Sequence, residues 1–232
     1  MTRMLQILVA ISLVSMLMVT NVAAATSQGL EWGVAEDDKF NYTLTIESEN
    51  DTISDGVYFE ITSLSTIPNT MDNFTDIPIT SSTWYWTAND TALSFWSLFL
   101  IILPTAIVGG YNVVPIGNYD LLTTLHSDFI GAEEELENVT VTYINNYHYW
   151  GVSATWDDED ITMTLETTFL KSDGALATAS MSGELEDETV SLSLTRLDLP
   201  SEIETLIMSN ILYIGIGVGV VIILGAVVCK KN

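Results

Sequence analysis

Two histidines, His126 and His148, are the only imidazoles in the 232 residues, and neither stands in a Gly-x-Ser-x-Gly or His-Glu-x-x-His frame. Nucleophilic or zinc-dependent hydrolysis therefore has no set of residue types to start from, and no catalytic residue is assigned. Carboxylates are abundant, 31 in all. Glycoside hydrolysis needs a pair of them, but in a chain this acidic close pairs arise in any case, so they carry no signal. Glu133-Glu134-Glu135 and Asp157-Asp158-Glu159-Asp160 are hard-oxygen clusters of a kind Ca²⁺ accepts. Neither has the spacing of a twelve-residue Ca²⁺ loop, and solvated turns are the expectation. No metal site and no cofactor is assigned, and the chain reads as a non-enzyme.

Two other chemistries have candidates. Asn41, Asn50, Asn73, Asn89 and Asn138 each stand two positions before a threonine, which makes them glycosylation candidates in an exported chain. The long apolar block Leu93 to Ile116 contains Phe95, Trp96 and Phe99, side chains of the type that wall a pocket for a lipid or other apolar ligand.

The ends of the chain say where these groups work. Arg3, an apolar run from Met4 to Val19 and the small residues Val22-Ala23-Ala24-Ala25 read as a cleaved signal peptide over 1–25. Leu206 to Cys229 is uncharged and is followed at once by Lys230-Lys231-Asn232. At ~1.5 Å per residue it reaches about 36 Å, enough to cross a hydrocarbon core of ~30 Å, with the lysines on the cytoplasmic side as residues 230–232. A removable lipid-anchor tail fits less well, because such tails usually end apolar. The expectation is a single-pass cell-membrane protein with the ectodomain outside and the C-terminus cytoplasmic. Gly215 and Gly219 form a small-xxx-small pair through which two transmembrane helices can approach in a weak homodimer. Cys229 is the one cysteine, so no disulfide holds the ectodomain, residues 26–203.

Between the anchors Lys39, Lys171 and Arg196 face all 31 acids. Nucleic acid and other polyanions are repelled by such a field, and the expected partners are the membrane, a cell-envelope component or an apolar ligand.

Alternation organises the rest. Phe40, Tyr42, Leu44 and Ile46 interleave with polar residues, as do Val57, Phe59 and Ile61 after Asp55-Gly56, which reads as a turn. Trp84 lies in a short aromatic strand, and further strands follow around Val141, Val152, Leu165 and Leu192, with a hairpin at Ser172-Asp173-Gly174. About eight antiparallel strands result. The expected class is α+β: a large curved antiparallel sheet wrapping an apolar helix and a second helix, plus the C-terminal transmembrane helix.

The apolar helix is Leu93 to Leu103, capped from Asn89-Asp90-Thr91 and ended by Pro104. The second is opened by Gly117-Asn118-Tyr119-Asp120 and runs through Leu121, Leu122, Leu125 and Phe129. Because Leu93 to Leu103 is apolar on every face, it is expected to be buried all round. A surface-inserting segment and a membrane span are the alternatives, the span being short by several ångströms against the ~30 Å required and broken by Pro104.

Four segments also carry a resemblance. Trp32-Gly33-Val34 before an acidic turn and a Phe-x-Tyr strand, Leu64-Ser65-Thr66-Ile67-Pro68, the run Pro115-Ile116-Gly117-Asn118-Tyr119-Asp120-Leu121-Leu122, and Lys171-Ser172-Asp173-Gly174-Ala175-Leu176 resemble the choice-of-anchor archaeal cell-surface proteins of S type, from about residue 31 to 198. The resemblance implies an exported domain joined to one of several interchangeable anchors. It implies no catalytic residues.

Overall fold

The structure, a computed structural model, describes residues 25–131, 139–158, 161–185 and 188–200. The signal segment up to residue 24, Glu133-Glu134-Glu135, Asn138, Glu159, Asp160 and the whole Leu206–Cys229 run with Gly215, Gly219 and the 230–232 tail lie outside the described residues.

Eight strands form one sheet: β1 (Lys39–Ser48), β2 (Asp51–Ser63), β3 (Ser81–Trp86), β4 (Val139–Asn145), β5 (Tyr149–Asp158), β6 (Ile161–Leu170), β7 (Leu176–Leu185) and β8 (Glu188–Arg196). Their order is β3-β2-β1-β8-β7-β6-β5-β4, antiparallel at every pairing. The strands at the two edges are consecutive in the chain. Everything between β3 and β4 therefore has to travel from one edge of the sheet to the other, and it does so as helix α1 (Phe95–Thr105), a 3₁₀ turn (Ala106–Val108) and helix α2 (Tyr119–Gly131).

The alternation in the sequence becomes two unlike faces. One row of the covered face is Leu44, Leu194, Ala179, Thr167 and Val152, all buried, as are Tyr42, Phe59 and Trp84. The other face is hydroxylic: a single register row runs Ser54, Thr45, Ser193, Ser180, Glu166, Ser153 and Thr142 across neighbouring strands. Hydroxyls there meet across strands, Thr155 to Thr164 at 3.2 Å and Thr45 to Ser54 at 3.3 Å.

Local chemistry moved two boundaries. Asp55-Gly56 is not a turn: both lie inside β2, opposite Leu44 and Thr43, and the reversal falls at Glu49-Asn50. A Cβ on Gly56 would lie a tight 3.2 Å from the Thr87 side chain, and the Thr87 amide donates to the Gly56 carbonyl. Asn89-Asp90-Thr91 does not cap α1 either. Asn89 Oδ1 accepts from the Thr91 amide and hydroxyl, Asp90 takes a left-handed φ of 54°, and the chain folds back along β3. Ser94 is the cap, its Oγ accepting from the Ser97 amide. Pro104 sits within the last turn of α1, and the left-handed Gly109 and Gly110 stop the 3₁₀ turn that follows.

Candidate functional site

Helix α1 lies over β6, β7 and β8. It is not buried all round: Ile101, Pro104 and Thr105 are buried, whereas Phe95 is 73%, Trp96 76%, Phe99 47% and Ile102 45% exposed. The physical reason is width. A helix resting on one side of a sheet buries one stripe, and nothing among the described residues covers the opposite one. Phe95 and Trp96 meet edge to face at 5.6 Å on that outer side. The expected wall of an apolar pocket is therefore a surface, and these three aromatics point away from the sheet's core.

A cavity does exist, but at the far end of the helical crossing. A half-open apolar groove of about 270 Å³ lies between the 3₁₀ turn (Ala106, Ile107), α2 (Phe129, Ile130) and the covered face of β4, β5 and β6 (Val139, Val141, Ala154, Trp156, Met163, Leu165). Every lining residue is apolar. Met163, at its edge, is opposite Gly183 of β7. The cavity residues were legible as strand-core positions. Their role as a lining was not, because it depends on how the helical crossing sits over β4 to β6.

Two buried polar side chains hold this roof in place. Thr167 donates its hydroxyl hydrogen to the Pro104 carbonyl at 2.7 Å, both groups being buried. His126, on α2, bridges the other side: its Nε2 lies 2.9 Å from the Ile107 carbonyl and its Nδ1 3.1 Å from the Tyr143 hydroxyl. A carbonyl only accepts, so Nε2 carries the hydrogen and Nδ1 accepts from tyrosine. Burial holds the His126 pKa below its ordinary 6.5. With Phe74 edge-on at 4.8 Å, this imidazole is a core strut between the 3₁₀ turn and β4.

His148 is elsewhere, on a cleft of about 600 Å³ that it shares with Ser172, Asp173, Arg196 and Asp198. Arg196 is buried there, stacked 4.5 Å over Phe40, with Nη1 2.9 Å from Asp173 Oδ2 and Nη2 donating to Asp198 Oδ2 at 2.8 Å. Burial raises the Asp173 pKa although Arg196 lowers it, while the Arg196 bond lowers that of the more exposed Asp198. Asp173 and Asp198 engage the guanidinium, while Nε2 of His148, on the same cleft, is buried without a hydrogen-bond partner among the described residues. The sequence reading missed this cleft; the signal that could have found it is that Arg196 is one of only three basic residues between residues 26 and 203.

The same end of the sheet gathers the four segments quoted above. Glu31 and Ile116 exchange backbone hydrogen bonds at 3.1 and 2.8 Å, Val114 donates to the Gly174 carbonyl at 2.9 Å, and the Trp32 indole donates to the Ser65 carbonyl at 2.7 Å. Tyr119 donates its hydroxyl to the Lys171 carbonyl at 3.0 Å while the Lys171 ammonium lies 4.8 Å over its ring. Two glycines make this packing feasible. A Cβ on Gly117, at φ 109°, would fall 2.2 Å from the Gly29 carbonyl oxygen, and one on Gly33 2.7 Å from that of Asp173.

No family model matches this chain, and no curated protein matches it. The geometry is therefore the ground for any functional reading. Of the glycosylation candidates, Asn41, Asn50, Asn73 and Asn89 are all exposed. Of the acidic clusters, Asp157 closes β5 beside Thr162, whose hydroxyl donates to its carboxylate at 3.1 Å. Among the described residues, no group of three His, Cys, Asp or Glu side chains is placed to hold a metal ion. None of the described helices is long and apolar enough to cross a membrane.

Proposed function

We propose that this chain is a single-pass, membrane-anchored cell-surface protein whose ectodomain is a non-enzymatic binding module, and that it carries an apolar ligand in the cavity between α2 and β4–β6. The observation that carries the reading is the half-open groove of about 270 Å³ lined by apolar side chains alone. A concave site walled by hydrophobic and aromatic side chains is the kind of place that takes an apolar ligand. At about 30 Å³ per group of water's size, the groove holds roughly nine such groups, which suits a short or partly inserted acyl chain better than a whole lipid. In this reading the sheet curls around the helical crossing, and the ligand lies where the curl is least filled.

The anchoring half of the proposal rests on the Leu206–Cys229 run with its terminal lysines and on the N-terminal signal pattern. The resemblance to the choice-of-anchor surface proteins supports the same address. Glycans on the exposed sequon asparagines and helix contact through Gly215 and Gly219 belong to it. Native mass spectrometry of the full chain released from lipid nanodiscs tests the carrier. A retained apolar ligand that is lost on filling the cavity with Ala154→Leu supports it, while a ligand-free chain, or a ligand indifferent to that substitution, refutes it.

A further inference from the structure

The outward stripe of α1 is a large apolar surface in an ectodomain that is otherwise densely acidic. From Thr91 to Tyr119 the sequence contains no charged residue. Within that stretch Phe95, Trp96, Phe99 and Ile102 succeed one another at helical spacing and all face outward. A stripe of this kind, aromatic and uncharged, matches neutral hydrocarbon and the aromatic-rich interface of a bilayer, where tryptophan sits at headgroup depth.

Chain geometry places a bilayer beside it. Leu93, one residue before the cap of α1, donates to the Trp84 carbonyl; Trp84 is opposite Phe59, and Phe59 is opposite Phe40. Leu197, just past β8, donates to the carbonyl of Asn41, the neighbour of Phe40. The start of α1 and the exit of β8 therefore share one end of the sheet. From Pro200 to Leu206 the chain spans at most about 20 Å even when fully extended. If the Leu206 run is the membrane anchor, that end of the sheet is held within this distance of the lipid.

We infer that the outward face of α1 inserts into the outer leaflet of the bilayer in which the chain is anchored. The inference rests on the anchored reading above. Insertion lays the ectodomain against the lipid, and Ala106, immediately after α1, lines the cavity, so the inserted helix leads from the leaflet to the cavity mouth. The face carries no charge to meet an anionic headgroup and the domain around it repels one, so the preferred surface is zwitterionic or neutral lipid.

The test uses the full chain reconstituted in phosphatidylcholine vesicles. Cys229→Ser removes the native thiol, and Trp96→Cys carries an environment-sensitive fluorophore. Thr195→Cys, exposed on the hydroxylic face, serves as the control position. Insertion shifts emission of the label at position 96 to the blue and quenches it when the lipid is brominated near the headgroup, leaves position 195 unquenched, and is abolished by Phe99→Asp. A chain that floats with the vesicles while position 96 behaves like position 195 overturns the docking and leaves the anchor reading standing. A chain that does not float overturns both. A label at position 96 that is shielded without bromine quenching, and that cross-links to a second copy, overturns the docking in favour of self-association through α1.

Discussion

The hydroxyl of Thr167, in the middle of β6, donates to the carbonyl of Pro104, in the last turn of α1, at 2.7 Å and out of contact with water. This bond pins the C-terminal end of an otherwise apolar helix to the sheet. Thr167→Val keeps the volume and removes the donor, leaving a buried carbonyl one partner short. The expected cost is about 1–3 kcal/mol, read as a lower urea midpoint with an unchanged slope.

Gly33 and Asp173 meet across the end of the sheet with no room for a methyl group. Gly33→Ala is expected to cost about 1–3 kcal/mol, because backbone must move on one side or the other. Gly131, at the end of α2, has nothing among the described residues within 4 Å of the place a methyl group would take. Gly131→Ala is expected to be neutral or to gain a few tenths of a kcal/mol from helix propensity. Thermal unfolding of the two variants side by side separates close packing from any general intolerance of alanine.

Arg196 is the partner of a carboxylate that burial has already made reluctant to ionise. Arg196→Met strands Asp173 and is expected to cost about 3–5 kcal/mol. Adding Asp173→Asn, which keeps an oxygen for the Ala175 amide, is expected to recover most of that loss. Asp198→Asn alone is expected to cost little, since the Asp198 carboxylate is largely exposed. A double-mutant cycle that shows simple additivity between positions 196 and 173 refutes the coupling.

His126 gives the fold a dependence on pH. Burial lowers its pKa from 6.5, so as pH falls past that ordinary value the unfolded chain takes up a proton that the folded chain refuses. Its contribution is complete above about 6.5 and is lost progressively below, down to the depressed folded pKa. His126→Gln is expected to flatten the stability profile between about pH 7 and 5; an unaltered profile assigns the dependence to other groups.

Strand positions were readable because a one-residue slip in Phe40-Asn41-Tyr42-Thr43-Leu44 exchanges core for solvent, and that constraint is written directly into the residue types. Helix α2 was readable for a related reason, with Asn118 Oδ1 accepting from the Leu121 amide at its start. The outward face of α1 was not. Leu93 to Leu103 declares that all its sides tolerate an apolar neighbour, and hydropathy cannot say that the sheet covers only one of them. Asp55-Gly56 misled because a glycine that makes room for Thr87 looks, in sequence, like one that makes a turn. The cavity depends on the 3₁₀ turn and α2 coming to rest over β4, β5 and β6, elements far apart in the chain. The Arg196 strut depends on the β6–β7 turn reaching the exit of β8, which no local pattern encodes.

The hydroxylic face of the sheet has a consequence for how the protein meets salt. Serine and threonine hydroxyls both donate and accept, so most of that face is neutral, and carboxylates on it such as Glu47, Glu166 and Glu184 stand on separate strands. The turn Glu36-Asp37-Asp38 instead sets three acids side by side, where added salt screens them over about 10 Å at 0.1 M. Raising ionic strength thus relaxes repulsion most at such turns and less across the broad side of the sheet, where the charges are spaced more widely.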